Sequence, residues 1–209
     1  MRPFLSCLAA LAAVASLSAC DSGGAGGQMN LRGEPATQAV AEKVDVSMRW
    51  TGRVGSEAWT QATLDALDQH GVTVLSRVPS DVGTYCPGYA DQGIEGRRAF
   101  WAGFMSAVAK HESTYNPGAK GGGGRWLGLM QISPATWRHY GCEGRMLDGA
   151  DNMVCAVKIM TTQVGRDNAV VGGSGAWRGV ARDWAPLRNA NKRADIANWT
   201  SQQNYCAKG

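Results

Sequence analysis

FWAGFMSAVAKHES, residues 100–113, is an apolar run that ends in a glutamate and a serine. At 100° per residue, Glu112 falls within about 40° of Val108, Met105 and Trp101 on a helix. Because these are core-facing positions, we expect Glu112 to point inward, where ionising a carboxylate is costly. An acid kept protonated by an apolar pocket is what cleavage of a glycosidic bond requires. The alternative is a solvent-exposed glutamate at a frayed helix end.

A second motif, Gly-Leu-Met-Gln-Ile at residues 128–132, begins sixteen residues after Glu112. Glu112-Ser113 followed by this motif resembles the paired motifs of the SLT-type lytic transglycosylases, which cleave peptidoglycan. The resemblance extends from about Phe100 to Val164. It implies a lysozyme-like fold with peptidoglycan glycan strands as substrate. Together with the local patterns and the cysteine count given below, we expect a mostly α, lysozyme-like α(+β) domain with disulfides and no cofactor.

The resemblance also implies a mechanism that needs one carboxylate. In that family the glutamate protonates the oxygen between MurNAc and GlcNAc. It then takes the proton of the MurNAc C6 hydroxyl, which attacks C1 and closes a 1,6-anhydro ring. Glu112 would be the catalytic residue, and the substrate-binding residues would be Ser113, Gly128, Leu129, Met130, Gln131 and Trp177.

Within these assignments, Gly128 would let the backbone approach the sugar, and Met130 would cover Glu112 with an apolar wall. Gln131 would offer a donor and an acceptor to the substrate. Ser113 would orient the carboxylate or the substrate, its alternative being a bond to the helix backbone. Two aromatic residues would stack on sugars or belong to the core: Tyr115 and Trp126.

One segment departs from the family pattern. Where the family often has Ala-x-Tyr-Asn-x-Gly, whose tyrosine supports the glutamate, this chain has GGSGAWRG at residues 172–179. Trp177 would take the tyrosine's place in the cleft. The carboxylate contact would come from another tyrosine, Tyr140 or Tyr205, or this chain does without that contact. Two rival functions remain open. One is a hydrolytic muramidase of the goose-lysozyme kind, with Glu143, Asp148 or Asp151 as second carboxylate; the other is an inactive cell-wall-binding lipoprotein.

The N-terminus has the pattern of an exported lipoprotein. Residues 1–19 contain one charge and a short apolar run, which is typical of a signal peptide. Leu17-Ser18-Ala19-Cys20 resembles a bacterial lipobox, which implies that Cys20 carries the lipid; the alternative is an ordinary signal cut after Ala19. We therefore expect a periplasmic lipoprotein of the bacterial cell envelope, anchored to the inner or the outer membrane.

We divide the rest of the chain into three parts. Residues 20–45 hold the lipidated cysteine and a flexible, glycine-rich tether. Residues 46–94 form an N-terminal helical and loop extension, and residues 95–209 form the lysozyme-like domain.

Six cysteines are present, of which Cys7 lies in the signal. An even set of four remains after Cys20 is assigned to the lipid, which indicates disulfides in an oxidising compartment. Four cysteines allow three pairings, and we expect Cys142–Cys155, closing a short loop, and Cys86–Cys206, tying the C-terminus to the start of the catalytic region. No Cys-x-x-Cys or histidine spacing indicates a metal site.

The formal net charge of +4 is too small to indicate a nucleic-acid partner. Four arginines near the C-terminus either favour a wall polymer that bears carboxylates or form a solvated face: Arg178, Arg182, Arg188 and Arg193. The oligomeric state is left open.

The local patterns predict mainly helices. They begin at Ser56, near Glu95 or Arg97, after the Ser133 cap with Pro134, and near Asp151. Residues 72–75 predict a short strand or an extended connector. Residues 120–125, KGGGGR, predict either a mobile loop at the cleft or a surface turn.

Overall fold

The computed structural model describes residues 46–173 and 175–208; the predicted signal, Cys20 and the tether lie outside this part. Within it, six α-helices and one hairpin form. The helices are Ser56–His70 (α1), Val72–Ser76 (α2), Ile94–Ser113 (α3), Pro134–His139 (α4), Gly149–Asp167 (α5) and Ala190–Ser201 (α6). Short 3-10 turns lie at Val82–Thr84, Tyr89–Asp91, Gly179–Arg182, Ala185–Arg188 and Asn204–Cys206. No helix in this part is long and apolar enough to span a bilayer.

Helix α3 is the central element of the core. Residues 99–109 are all buried, so this part of the helix is surrounded by protein on every side. Its large apolar side chains are Phe100, Trp101, Phe104, Met105 and Val108. Helices α1 and α6 pack against α3, and α1 also packs along α5. The mostly α fold expected from the sequence is confirmed, and residues before 94 contribute to the same hydrophobic core.

Three helices begin after a side-chain cap, whereas α1, α2 and α3 each follow a glycine and have no such cap. The Ser133 hydroxyl accepts from the Thr136 N–H, with Pro134 at the first helical position. Asp148 caps α5 by accepting from the N–H groups of Ala150 and Asp151. Asn189 caps α6 in the same way. Each cap satisfies backbone donors that a helix start leaves unpaired.

Two helices differ from the sequence-based expectation. Residues 72–75 form part of α2 instead of a strand or an extended connector, because Gly71 ends α1 and accepts the first bonds of a new turn from Val74 and Leu75. Helix α6 was not predicted, since only Ile196 and Thr200 of its residues are buried and its apolar periodicity is weak.

The glycine-rich segment is the turn of a β-hairpin. Lys120–Gly121 (β1) pairs antiparallel with Trp126–Leu127 (β2). Gly122, Gly123 and Gly124 have φ of 56°, 70° and 89°, a left-handed run that favours glycine. A Cβ on Gly122 would also clash with the Trp126 ring. The hairpin thus brings Trp126 to a defined position beside α3.

Two disulfides connect distant parts of the fold, and they are the pairs expected from the sequence. Cys86–Cys206 joins residues 120 apart and fixes the C-terminal turn to the segment before α3. Cys142–Cys155 joins the exit of α4 to α5, with a separation of 13 residues.

Candidate active site

Glu112 lies in the last turn of α3 and is half-buried. Burial raises the pKa of its carboxyl from the ordinary 4.5 to about 7, against smaller opposing effects of Lys192 and Arg188. Among the described residues, none donates a hydrogen bond to this carboxylate. The inward-facing acid expected from the helical periodicity is therefore present, and its carboxyl is available to a substrate.

Helix α3 ends abruptly just after Glu112. Thr114 and Tyr115 have φ of 53° and 63°, in the left-handed region that residues with a Cβ rarely adopt. The Arg53 guanidinium lies 5.4 Å from the centre of the Tyr115 ring. Such strain persists only where surrounding contacts hold it, and it is frequent beside functional groups. Tyr115 lies at the end of α3. It is not among the residues that line the cleft over Glu112.

A cleft of about 370 Å³ opens over Glu112. The hairpin contributes Trp126 and the following turn contributes Gln131. The opposite wall comes from the C-terminal turns: Asp183, Ala185 and Arg188. The Trp126 side chain is 44% exposed, and the Arg125 guanidinium lies 4.9 Å from its ring centre, so part of the ring is available for a sugar to stack on.

The Gly-Leu-Met-Gln-Ile motif is held in place by the buried side-chain amide of Asn152. Asn152 Oδ1 accepts from the Met130 N–H at 2.8 Å. Its NH₂ group donates to the carbonyls of Met146 at 2.9 Å and Leu127 at 3.2 Å. Trp184 completes the clamp by donating to the Met130 carbonyl at 2.9 Å. The motif is thus a turn whose backbone polar groups are satisfied by tertiary contacts.

Three motif residues support the cleft from outside its lining, which differs from the sugar contacts that the resemblance implied. Leu129 and Met130 are completely buried in the core. Gly128 has φ of 81°, and a Cβ there would clash with Asn152 and with the Met146 carbonyl. Glycine is therefore required for the packing of Asn152, a residue that sequence spacing alone could not bring to this position.

Gln131 lies in the cleft, with a left-handed φ of 49°. Its NH₂ group donates to the carbonyls of Gly128 at 2.8 Å and Ala119 at 3.2 Å, which ties the motif to the hairpin. Both N–H donors are therefore used inside the protein. Gln131 therefore offers a substrate the acceptor Oε1 and not the N–H donor that was also expected from the sequence.

Ser113 and Trp177 also differ from their expected roles. The Ser113 hydroxyl points back to the Ala109 carbonyl at 3.5 Å, the alternative considered for a helix-terminal serine. Trp177 is 42% exposed and lines a separate groove with Tyr85, in which Arg193 lies 5.6 Å from its ring centre. Trp177 is not among the lining residues of the Glu112 cleft, so it does not replace the family tyrosine there.

Asp183 is the cleft residue that sequence reasoning missed. The buried Gln163 amide donates to Asp183 Oδ2 at 2.5 Å and to the Tyr140 hydroxyl at 2.9 Å. Desolvation raises the pKa of Asp183, opposed by the Gln163 bond and by Arg188. Asp183 has no periodic or motif signal in the sequence, because a 3-10 turn delivers it to the cleft. Tyr140 thus contacts this second carboxylate through Gln163.

The other candidates for a second carboxylate or a supporting tyrosine have different positions. Glu143 is exposed on the surface. Asp148 caps α5, and Asp151 accepts from the Arg145 N–H at 2.7 Å. The Tyr205 hydroxyl donates to the Ser47 carbonyl at 3.0 Å, inside the core. None of these four is among the residues lining the cleft.

One aspartate fixes α6 beside the end of α3. Asp195 accepts two bonds from the Arg49 guanidinium, at 2.7 and 2.9 Å. It also contacts Lys110 at 3.2 Å and the ring of His111 at 2.7 Å. These partners, Arg49 first, lower the pKa of Asp195. The cluster holds α6, the helix that follows Arg188, next to Glu112.

In the described ranges, no group of three or more His, Cys, Asp or Glu residues could hold a metal ion.

Comparison with known proteins agrees with this geometry. Residues 92–183 match the family model described as the transglycosylase SLT domain. The match therefore includes Glu112, the 128–132 motif and Asp183.

Among solved structures, the chain is similar to Bd0314 DslA. Its wild-type form 2 is 27% identical, with a TM-score of 0.70. Two glutamate-to-glutamine mutants of that protein are 27% and 26% identical, with TM-scores of 0.71 and 0.69. Each match covers 80% of this chain and 100% of the other. Among curated protein sequences none matches. The chain contains, over residues 92–183, a transglycosylase SLT domain with a lysozyme-like fold.

Proposed function

We propose that this protein is a peptidoglycan lytic transglycosylase that cleaves the β-1,4 bond between MurNAc and GlcNAc with 1,6-anhydro-MurNAc formation. The observation that carries the proposal is the half-buried Glu112, whose pKa is raised to about 7 at the base of an open cleft. An acid with that pKa is protonated in a large fraction of molecules at neutral pH and ionises readily after giving up its proton. The SLT domain supports peptidoglycan as the substrate.

In the proposed reaction Glu112 acts twice. Its carboxyl protonates the bridging oxygen as the C1–O bond breaks, and the leaving GlcNAc hydroxyl takes that proton. The resulting carboxylate accepts the proton of the MurNAc C6 hydroxyl while that oxygen bonds to C1. Glu112 ends protonated, water is not consumed, and a single carboxylate is sufficient. Trp126 would stack on a sugar, and Gln131 Oε1 would accept from an N–H or hydroxyl group.

A hydrolytic muramidase is the second candidate, and Asp183 is the observation that favours it. Hydrolases of glycosides usually pair an acid with a second carboxylate that activates water or attacks C1. Asp183 lines the same cleft as Glu112 and is oriented by Gln163. In that case water would attack in place of the C6 hydroxyl, and the product would have a reducing end.

We further propose that the protein is an exported lipoprotein of the bacterial cell envelope, anchored through lipid on Cys20. The support is the signal-like residues 1–19 and the lipobox-like residues 17–20 of the sequence. Radiolabelled fatty acid incorporated in the native host by the wild-type chain and lost in Cys20→Ala would support the anchor. Equal labelling of both chains would refute it.

The test of activity is a digest of purified peptidoglycan by the full-length chain, beside Glu112→Gln and the matched control Glu143→Gln. Glu143 is an exposed glutamate outside the cleft, so its substitution removes one carboxylate without touching the site. Products are reduced with borohydride and read by mass spectrometry. Transglycosylation predicts ends that lack one water and resist reduction, formed by the wild type and the control and absent with Glu112→Gln.

The other outcomes separate the alternatives. Reducible ends would refute transglycosylation and support the muramidase; loss of these ends in Asp183→Asn would then give Asp183 the second role. No products from a folded wild-type chain that still binds peptidoglycan would refute both enzymes and leave a cell-wall-binding protein.

A further inference from the structure

Two cations near Glu112 have no ion-pair partner among the described residues. Arg188 lines the cleft, and Lys192 lies one turn further, on α6. Both oppose the raised pKa of Glu112, Lys192 more than Arg188. A cation near an acid that must stay protonated works against the acid's function. Their presence therefore points to a second role.

Four cations on adjoining segments are paired with carboxylates, whereas Arg188 and Lys192 are not. Asp195 takes Arg49 and Lys110, and Asp167 takes Arg166 and Arg182. Within residues 46–173 and 175–208, no carboxylate lies within ion-pair distance of Arg188 or Lys192. Asp183 lines the same cleft and acts on Arg188 through space without forming an ion pair. A cation at a cleft that no ion pair engages attracts ligands of opposite sign.

The Arg188 guanidinium is held in place from the protein side. Its Nε donates to the Ala181 carbonyl at 2.7 Å, and one Nη donates to the Arg182 carbonyl. A guanidinium has five N–H donors, one on Nε and four on the two Nη atoms. These two bonds use the Nε donor and one Nη donor, so the remaining Nη donors are available to a ligand. A fixed planar fork suits a carboxylate, which it binds without losing much side-chain entropy.

The three other arginines that the sequence groups with Arg188 are not among the residues lining the cleft. Arg193 faces Trp177 in the separate groove, and Arg182 is paired with Asp167. Arg178 is exposed next to Gly172. Of the four, Arg188 alone lines the Glu112 cleft.

We propose that Arg188, assisted by Lys192, binds a carboxylate carried by the lactyl branch of the muramic acid next to the scissile bond. This inference rests on the proposed cleavage of peptidoglycan at Glu112. The carboxylate has two possible sources: the lactyl carboxylate itself in strands without peptide, or the carboxylates of the stem peptide. Binding would also neutralise the two cations facing Glu112, so the acid would hold its proton more firmly in the complex than in the free enzyme.

The charged groups around Glu112 make this coupling specific. Arg188 and Asp183 face the cleft from the C-terminal turns, and Lys192 approaches from α6. On α3 itself, His111 and Lys110 are engaged by Asp195. The hairpin side contributes the uncharged Trp126 and Gln131 to the lining, and its Arg125 guanidinium lies 4.9 Å from the centre of the Trp126 ring. A bound carboxylate therefore changes the field at Glu112 mainly through Arg188 and Lys192.

The experiment measures cleavage by the full-length chain of four substrates: peptide-bearing strands, peptide-free strands, and each after amidation of its carboxyl groups. Arg188→Gln and Lys192→Gln are compared with Arg138→Gln, an exposed cation on α4. We expect Arg188→Gln to raise KM about 10-fold and Lys192→Gln about 3-fold on strands with free carboxylates. On amidated strands the three variants and the wild type should have equal KM.

The arms locate the carboxylate and separate this inference from the proposed function. Loss of the KM difference on amidation of the peptide-free strands identifies the lactyl carboxylate; loss only with peptide-bearing strands identifies the stem peptide. Wild-type cleavage of all four substrates with the same KM would refute the carboxylate site while leaving the enzyme assignment intact. Arg188 also donates to two backbone carbonyls, so Arg188→Gln could unfold the protein. The Lys192 side chain makes no hydrogen bond to the described residues, so Lys192→Gln keeps the test valid in that case.

Discussion

Replacing Glu112 by glutamine should stabilise the protein, and the gain should grow with pH. The folded carboxyl has a pKa of about 7, against an ordinary 4.5. Between these values the unfolded chain has lost the proton that the folded chain still holds. Stability therefore falls as pH rises through that window, by about 1.4 kcal/mol per pKa unit. Because Glu112 is half-buried, water screens part of the effect, and we expect a loss of about 2–3 kcal/mol.

Glutamine has nearly the shape of glutamic acid and does not ionise in this range, so Glu112→Gln should lack this loss. The assay is urea unfolding at pH 4.5 and pH 8, with the disulfides intact, of wild type, Glu112→Gln and the exposed control Glu143→Gln. The free energy of unfolding of Glu112→Gln, relative to wild type, should increase by about 2–3 kcal/mol between the two pH values. An increase below about 0.5 kcal/mol, or the same increase in Glu143→Gln, would show that Glu112 is not desolvated.

Three further predictions test other parts of the site and its support. Cleavage should decline as pH rises through about 7, because the acid form of Glu112 is lost; a rate that increases steadily to pH 9 would contradict this. Asn152→Ala leaves the Met130 N–H and the Met146 carbonyl without partners, while Leu127 keeps its bond from Ile132, so unfolding free energy should fall by about 3 kcal/mol and activity with it; an unchanged urea midpoint would argue against the clamp. Replacing Cys86 and Cys206 together by serine opens the loop between residues 120 apart and should cost about 4–5 kcal/mol, more than the short-loop pair; equal losses for the two pairs would contradict the loop-length argument.

Local chemistry made much of the fold predictable. The Ser133 cap, the apolar face of α3 and the inward position of Glu112 follow from interactions within a few residues along the chain. The fold class and both cysteine pairs of the described part also agree with the sequence-based expectations. The capping rule and the helical periodicity succeed here because the tertiary contacts of the fold leave the local helix geometry unchanged.

The support of the cleft could not be predicted in this way. Asn152 reaches Met130 across 22 residues, and Gln163 reaches Asp183 across 20. Neither distance corresponds to a helical or strand period, so no local pattern brings these pairs together. For the same reason the sequence predicts that Gly128 contacts the substrate. In the structure, the absence of a Cβ at Gly128 leaves room for the Asn152 side chain on α5.

The link between Arg49 and Asp195 makes the surroundings of Glu112 depend on the last part of the chain. The two residues are 146 positions apart and join the segment before α1 to α6. A chain that ends before Asp195 keeps every residue that lines the cleft but loses the carboxylate that holds α6 beside the end of α3. We therefore expect a truncation at this point to disturb the cleft, although it removes none of the lining residues.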